Sequence, residues 1–225
     1  MKKRALIMSV VLTLALVFGS FTSVFAVEKT GPATDATREA VKSSGIQTVT
    51  KFKEEVGAEA FAINFANEVK TGKYKLIDTA GVKAAVDANN AIIIDTMPAG
   101  WYTSRHIPGA LNQVVGAMNG PKFKILSAEK KGLLKQVKKA AGKKKYYYNS
   151  KTKKWQSKKI KGAKTKKMVN KDKKIILYCG FVGCARSHQA AMYLKKKGFT
   201  NVYRYPGGIS AWVDANLPIA GTDVQ

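Results

Sequence analysis

Two apolar runs, Ala91-Ile92-Ile93-Ile94-Asp95 and Ile175-Ile176-Leu177-Tyr178, constrain this chain more than any other feature. Neither alternates apolar with polar residues, so neither can leave one face in water. Both are short and β-branched, which suits a strand covered on both sides. Tyr74-Lys75-Leu76-Ile77 and Asn201-Val202-Tyr203-Arg204 read as two further strands. Segments with helical spacing fall between them. Thr79 can cap a helix running to about Ala88, and Ser187 to Lys197 reads as a helix ended by Gly198. Gly207-Gly208 opens a last helix through Trp212, which is assigned to the core. Strands alternating with helices predict an α/β fold, a mostly parallel central sheet flanked by helices.

The N-terminal side carries other signals. Lys2, Lys3 and Arg4, the apolar stretch Ala5 to Phe18, and Val24-Phe25-Ala26 have the order of a signal peptide over 1–26. An uncleaved anchor is the other reading, but the run is short against the roughly 20 residues of a membrane span. The expectation is an exported protein, periplasmic or otherwise extracytoplasmic. Residues 27–72 then form a polar lead-in and a helix, with Phe52, Val56, Ala60, Phe61, Phe65 and Val69 at helical spacing and a stop at Thr71-Gly72. The α/β domain occupies 73–221.

Of the net charge of +26, residues 121–174 carry 22 lysines against Glu129 and Asp172, a net +20. The rest of the chain beyond the leader is nearly balanced. The basic character belongs to one insert in the α/β domain. Within it, Phe123 to Lys139 can hold a short helix, and Tyr146 to Trp155 reads as a β-hairpin or as a partly disordered tract. Lysines interleaved with Tyr146, Tyr147, Tyr148 and Trp155 could grip nucleic acid by phosphate contact and stacking. Export disfavours that partner. An anionic envelope component fits better, with a solvated elaboration as the other reading.

Chemistry concentrates where the Ile175–Tyr178 run ends. Cys179 follows it directly, and Cys184, the other cysteine, comes five residues later. A thiol between a strand and a helix lies near backbone N–H groups and a positive helix end, which lower its pKa and hold an anion beside it. In an oxidising compartment such a pair is a redox couple, a nucleophile with a neighbour, or a structural staple. Cys179, Cys184 and His188 offer three soft ligands, but a fourth is missing nearby, so neither metal nor other cofactor is expected. His188 is expected to lie exposed in the first helical turn.

Four patterns now resemble a known family. Asp95 ends a strand; His106-Ile107-Pro108-Gly109-Ala110-Leu111-Asn112 follows; Cys179 precedes a helix opening Arg186-Ser187; and Gly207-Gly208-Ile209-Ser210-Ala211-Trp212 leads to Leu217-Pro218-Ile219. Their order and spacing are similar to single-domain rhodaneses, from Lys73 to Ala220 apart from the insert. The resemblance implies a rhodanese-like three-layer sandwich and sulfurtransferase chemistry. Cys179 as thiolate would attack the outer sulfur of a small anion such as thiosulfate, carry it as a persulfide, and yield it to a thiophilic acceptor whose identity stays open.

Amides of Gly180, Phe181, Val182, Gly183, Cys184, Ala185 and Arg186 would hold the anion. Arg186 would receive the donor or lock the loop by a salt bridge, and Ser187 would cap the helix. Asp95 and His106 would be framework. This loop is longer than is usual in the family and contains Cys184 as a candidate resolving thiol. Arg186 lies seven positions after Cys179, missing the C-x5-R spacing of related phosphatases, which disfavours phosphate or arsenate ester chemistry. Two alternatives stay open: a thiol–disulfide or oxyanion-reducing couple of Cys179 and Cys184, and a non-catalytic binding module attached through the insert.

Overall fold

The computed structural model describes residues 27–28, 52–116 and 125–223. The leader at 1–26, the lead-in at 29–51 and the start of the basic insert at 117–124 lie outside the described residues. Among the described residues no helix is long and apolar enough to cross a membrane.

The continuous apolar runs become adjacent central strands, β3 (Ala91–Asp95) and β8 (Lys174–Tyr178), paired in parallel from Ala91↔Lys174 to Asp95↔Tyr178. β9 (Val202–Tyr205) flanks β8, followed by β2 (Lys75–Ile77) and the two-residue β1 (Val27–Glu28). A short β4 (Leu111–Asn112) closes the other edge, giving the order β1-β2-β9-β8-β3-β4. The pairings are parallel throughout rather than mostly so.

Alternate side chains of the runs enter two separate cores, which is why neither run alternates in polarity. Ile92, Ile94, Ile175 and Leu177 pack with Val69 of α1 (Phe52–Gly72), Leu133 and Val137 of α4 (Ser127–Ala141), and Leu194 of α5 (Arg186–Lys196). Ile93, Ile176 and Tyr178 pack with Val82 of α2 (Thr79–Asp87) and with Ile209 and Trp212 of α6 (Gly208–Asp214). The N-terminal helix and the insert's helix therefore complete one layer of the sandwich.

Two local expectations change. Asp78, not Thr79, caps α2: its Oδ1 accepts from Gly81 N at 2.8 Å, and Thr79 instead meets the Tyr205 hydroxyl at 2.8 Å. A six-residue helix, α3 (Ala99–Ser104), follows Pro98; none of its residues is buried, so it has no periodic apolar face to announce it.

From residue 125 onward the insert takes up regular structure. After α4 it forms an antiparallel sheet in the order β6-β5-β7, from β5 (Lys143–Asn149), β6 (Lys154–Gln156) and β7 (Thr165–Val169). The expected hairpin is β5–β6, closed by Tyr148 against Trp155 with ring centroids 5.3 Å apart, and β7 adds a third strand. Tyr146 is buried, which ties the sheet to the domain.

Candidate active site

Cys179 and Cys184 sit on the loop joining central strand β8 to α5, at the carboxyl end of the parallel sheet, where open α/β sheets place their ligands. The loop is held from three sides. Ile209 N and Ser210 N of α6 donate to the carbonyls of Cys179 and Gly180, each at 2.9 Å. Gly208 permits that approach: its φ is +62°, and an added Cβ would collide with the carbonyl of Cys179. Within the loop, Cys184 N closes a turn onto Phe181 O at 3.0 Å, leaving Phe181, Val182 and Gly183 exposed at its crest.

The third hold is Arg204, a fully buried guanidinium in β9. Its Nη2 donates to the carbonyls of Val182 and Cys184 at 3.3 and 3.1 Å, and its Nε to Ser187 Oγ at 3.2 Å. Its Nη1 meets Glu68 of α1 at 2.5 Å and the Tyr74 hydroxyl at 3.2 Å. Sequence reasoning missed all three partners on this side: Arg204, Glu68 and Tyr74. The available signal was a lone arginine inside an apolar strand, because a buried cation needs a partner.

Ser187 is not the helix cap; Ala185 holds that position. Ser187 lies buried in the first turn, with Oγ 3.3 Å from Cys179 Sγ. Since Oγ accepts from Arg204, its own proton is free to point at the sulfur. The pair Arg204–Ser187 thus supports negative charge on Cys179. His188 is buried rather than exposed, because Tyr74 covers it: Nδ1 and the Tyr74 hydroxyl are 2.9 Å apart. Burial, first of all, pushes the His188 pKa down and keeps the ring neutral.

Arg186 is 7% exposed, and its Nη1 donates to the carbonyls of Val115, at 2.5 Å, and Gly116. It locks the loop against the segment after β4 through these carbonyls. Asp95 and His106 serve as framework. Asp95 Oδ1 accepts from Met97 N at 2.8 Å, while Oδ2 is buried without a hydrogen-bond partner. Burial accordingly pushes this carboxyl up to about 6. His106 stacks on Tyr102 with centroids 3.8 Å apart, and its backbone bridges Ala220.

The two thiols are both free and electrostatically unlike. Cys179 is 1% exposed, and its Sγ donates to Cys184 O at 3.1 Å. Burial and the neighbouring Cys184 push its thiol up, opposed by Ser187. This reverses the expectation of a depressed Cys179. Cys184 is the depressed thiol, lowered to about 6. The main cause is a hydrogen bond from the Cys179 thiol. The amides of Arg186 and Gly180 and the Arg186 charge add to it, against burial. The loop's anion-holding amides thus serve the second cysteine in this state. Among the described residues no cluster of three or more His, Cys, Asp or Glu side chains is placed to hold a metal ion.

A cavity of about 780 Å³ borders the loop, lined by Met97, Trp101, Arg105, Ile209, Ser210 and Val213 among others. It adjoins Gly180, whose added Cβ would lie 3.5 Å from Met97.

The rhodanese-like domain family matches residues 78–215, more than half of the chain. The chain belongs to the rhodanese-like domain family. A protein of Allochromatium vinosum named sulfurtransferase is 38% identical over 55 residues, 24% of this chain and 50% of that protein. The chain thus matches about half the length of that relative. A solved Bacillus halodurans protein is 21% identical over 67% of this chain and 78% of its own, with a TM-score of 0.42. The thiosulfate sulfurtransferase of Pseudomonas aeruginosa is 17% identical, covering 66% of this chain and 20% of its own, also with a TM-score of 0.42. Within this rhodanese-like domain, the β8–α5 loop carries the cysteine of the family pattern.

Proposed function

We propose that this protein is an exported sulfurtransferase that carries sulfane sulfur as a persulfide on Cys179. The observation that carries the reading is Cys179 on a loop clamped by α6, Arg186 and Arg204, with Ser187 Oγ 3.3 Å from its sulfur. A buried thiol is a poor nucleophile until its proton leaves. Ser187, held by Arg204, opposes the effect of burial and supports the thiolate once the proton has left.

With thiosulfate as donor, Cys179 loses its proton to solvent and the thiolate attacks the outer sulfur of the donor. The S–S bond of thiosulfate breaks and sulfite leaves with its electron pair. The products are a Cys179 persulfide anion and sulfite. An acceptor thiolate then attacks the outer persulfide sulfur and releases Cys179 as thiolate. Arg204 and Ser187 act as positioning residues beneath the sulfur, and the cavity beside Gly180 is the approach for the acceptor.

Mass spectrometry after thiosulfate exposure tests this. One added sulfur on Cys179 is expected, lost in Cys179→Ser and retained in Cys184→Ser. A folded protein with intact thiols and no adduct would sink the transferase reading.

A second free thiol on the same loop also favours a second reading. Here Cys184 thiolate attacks the inner sulfur of the Cys179 persulfide, giving a disulfide and hydrosulfide. A dithiol reductant, taking up the disulfide, would then close the cycle. Trapping the disulfide together with one equivalent of released sulfide would support this reading, and sulfur transfer without either would reject it.

A further inference from the structure

The sulfur chemistry leaves the lysine-rich sheet unused. In an antiparallel ladder directly opposed residues share a face, and successive residues alternate faces. Tyr146 and Met168 lie on the side where Leu134 of α4 and Phe199 join them around one depression. The other side carries Lys143, Lys145 and Tyr147 of β5, Lys167 opposite Lys145, and Lys154 opposite Asn149. Like charges directly opposed across a ladder weaken it. Neither acid of the insert lies on this face. Asp172 pairs with Lys144, and Glu129 accepts from the amides of Leu126 and Gly116.

At the far end, Asn149 and Gln156 lead into a cavity of about 730 Å³. Lys151, Lys158, Lys159, Lys161 and Lys164 line it, with no acidic side chain among its lining residues.

We propose that this face and the cavity at its end bind a linear phosphate polyanion without bases, of the polyphosphate or polyol-phosphate kind. A strand rise of about 3.4 Å sets Lys143 and Lys145 about 7 Å apart, and a strand spacing of about 4.8 Å brings Lys167 alongside. The charge is therefore a strip, which matches a chain of phosphates and releases counterions along its length.

Nucleic acid fits less well, because no run of open aromatic faces lines the strip: of the β5 tyrosines only Tyr147 lies on this face, and Tyr148, on the other, lines the end cavity. Tyr146 is buried, Tyr148 packs on Trp155, and Lys145 lies over the Tyr147 ring at 5.9 Å. Base binding needs successive open aromatic faces. A membrane fits less well too, since the aliphatic side chain on this face, Val169 opposite Lys143, packs against the core and is not free to insert between lipids.

The test is fluorescence anisotropy of labelled inorganic polyphosphate with the full chain across a salt series. The variant Lys143→Gln/Lys145→Gln/Lys154→Gln/Lys167→Gln should bind at least about tenfold more weakly. Its log K against log salt should flatten by about 3, from about 0.7 per phosphate lost. A control with the same charge change, Lys70→Gln/Lys131→Gln/Lys135→Gln/Lys139→Gln, should move less than half as far. A second variant, Lys145→Glu, separates binding from folding. It should stabilise the sheet, by pairing with Lys167, while weakening polyphosphate binding. Equal losses in the sheet variant and the control would overturn the proposal. So would tighter binding, at matched charge, to oligothymidine or to phosphatidylglycerol vesicles than to polyphosphate.

Discussion

Replacing Cys179 by alanine should raise the pKa of Cys184. The native Cys184 is lowered to about 6, and the largest cause is the hydrogen bond it receives from Cys179. With that donor gone, the Arg186 and Gly180 amides and the Arg186 charge remain, while burial works against them. At pH 6 about half of native Cys184 is thiolate. A first unit of upward movement leaves about a tenth, so alkylation at pH 6 slows about fivefold, and each further unit slows it about tenfold. The assay is iodoacetamide labelling across pH 5 to 10, read at each cysteine by mass spectrometry alongside ultraviolet thiolate absorbance. The reciprocal variant Cys184→Ser removes two influences that raise Cys179, so the remaining thiol should titrate below its native value. Two outcomes refute the reasoning. One is a native Cys184 titrating in the ordinary thiol range near 8.5; the other is a Cys184 titration unchanged by Cys179→Ala.

Arg204→Met should cost about 3–5 kcal/mol in urea unfolding, because it strands Glu68 and frees the carbonyls of Val182 and Cys184. A loss below about 1 kcal/mol would show that the network does not hold the loop. Gly208→Ala meets both a left-handed φ of +62° and the Cys179 carbonyl, so a loss of more than about 2 kcal/mol and altered Cys179 reactivity are expected. A native-like melt would contradict the close approach of α6. Asp95 carries a folded-state pKa raised from 3.8 to about 6, so its ionisation works against folding as pH rises. Native stability should fall by up to about 3 kcal/mol between pH 4 and 6 from this group, and Asp95→Asn should remove that part of the slope. Parallel pH–stability curves for the two proteins would refute it.

The sequence by itself determined the layers and the place of Cys179 at the end of a buried strand. Ile92 to Ile94 and Ile175 to Leu177 are apolar on both faces, which only a sheet covered on both sides satisfies. Cys179 at the end of a buried strand and the helix opening at Gly207-Gly208 were legible because both are short-range features, whereas the approach of Gly208 to the Cys179 carbonyl is not. Asp95 bonds to Met97 within its own turn, while the backbone of His106 bridges Ala220 across the fold.

Only the tertiary structure decided the electrostatics of the site. Glu68, Arg204 and Ser187 are 136 and 17 residues apart in successive steps, yet they form one network under the loop. No spacing rule links such positions, because sheet order and the packing of α1 bring them together. The same packing covers His188 with Tyr74 and turns Arg186 toward Val115 and Gly116. It also places the two thiols so that one proton is held on Cys179 and the negative charge on Cys184. A pKa depends on burial and on neighbours in space, and neither is a property of the chain's local order. The lysine sheet follows the same division: its charge was plain in the composition, but which lysines share a face was decided by strand pairing.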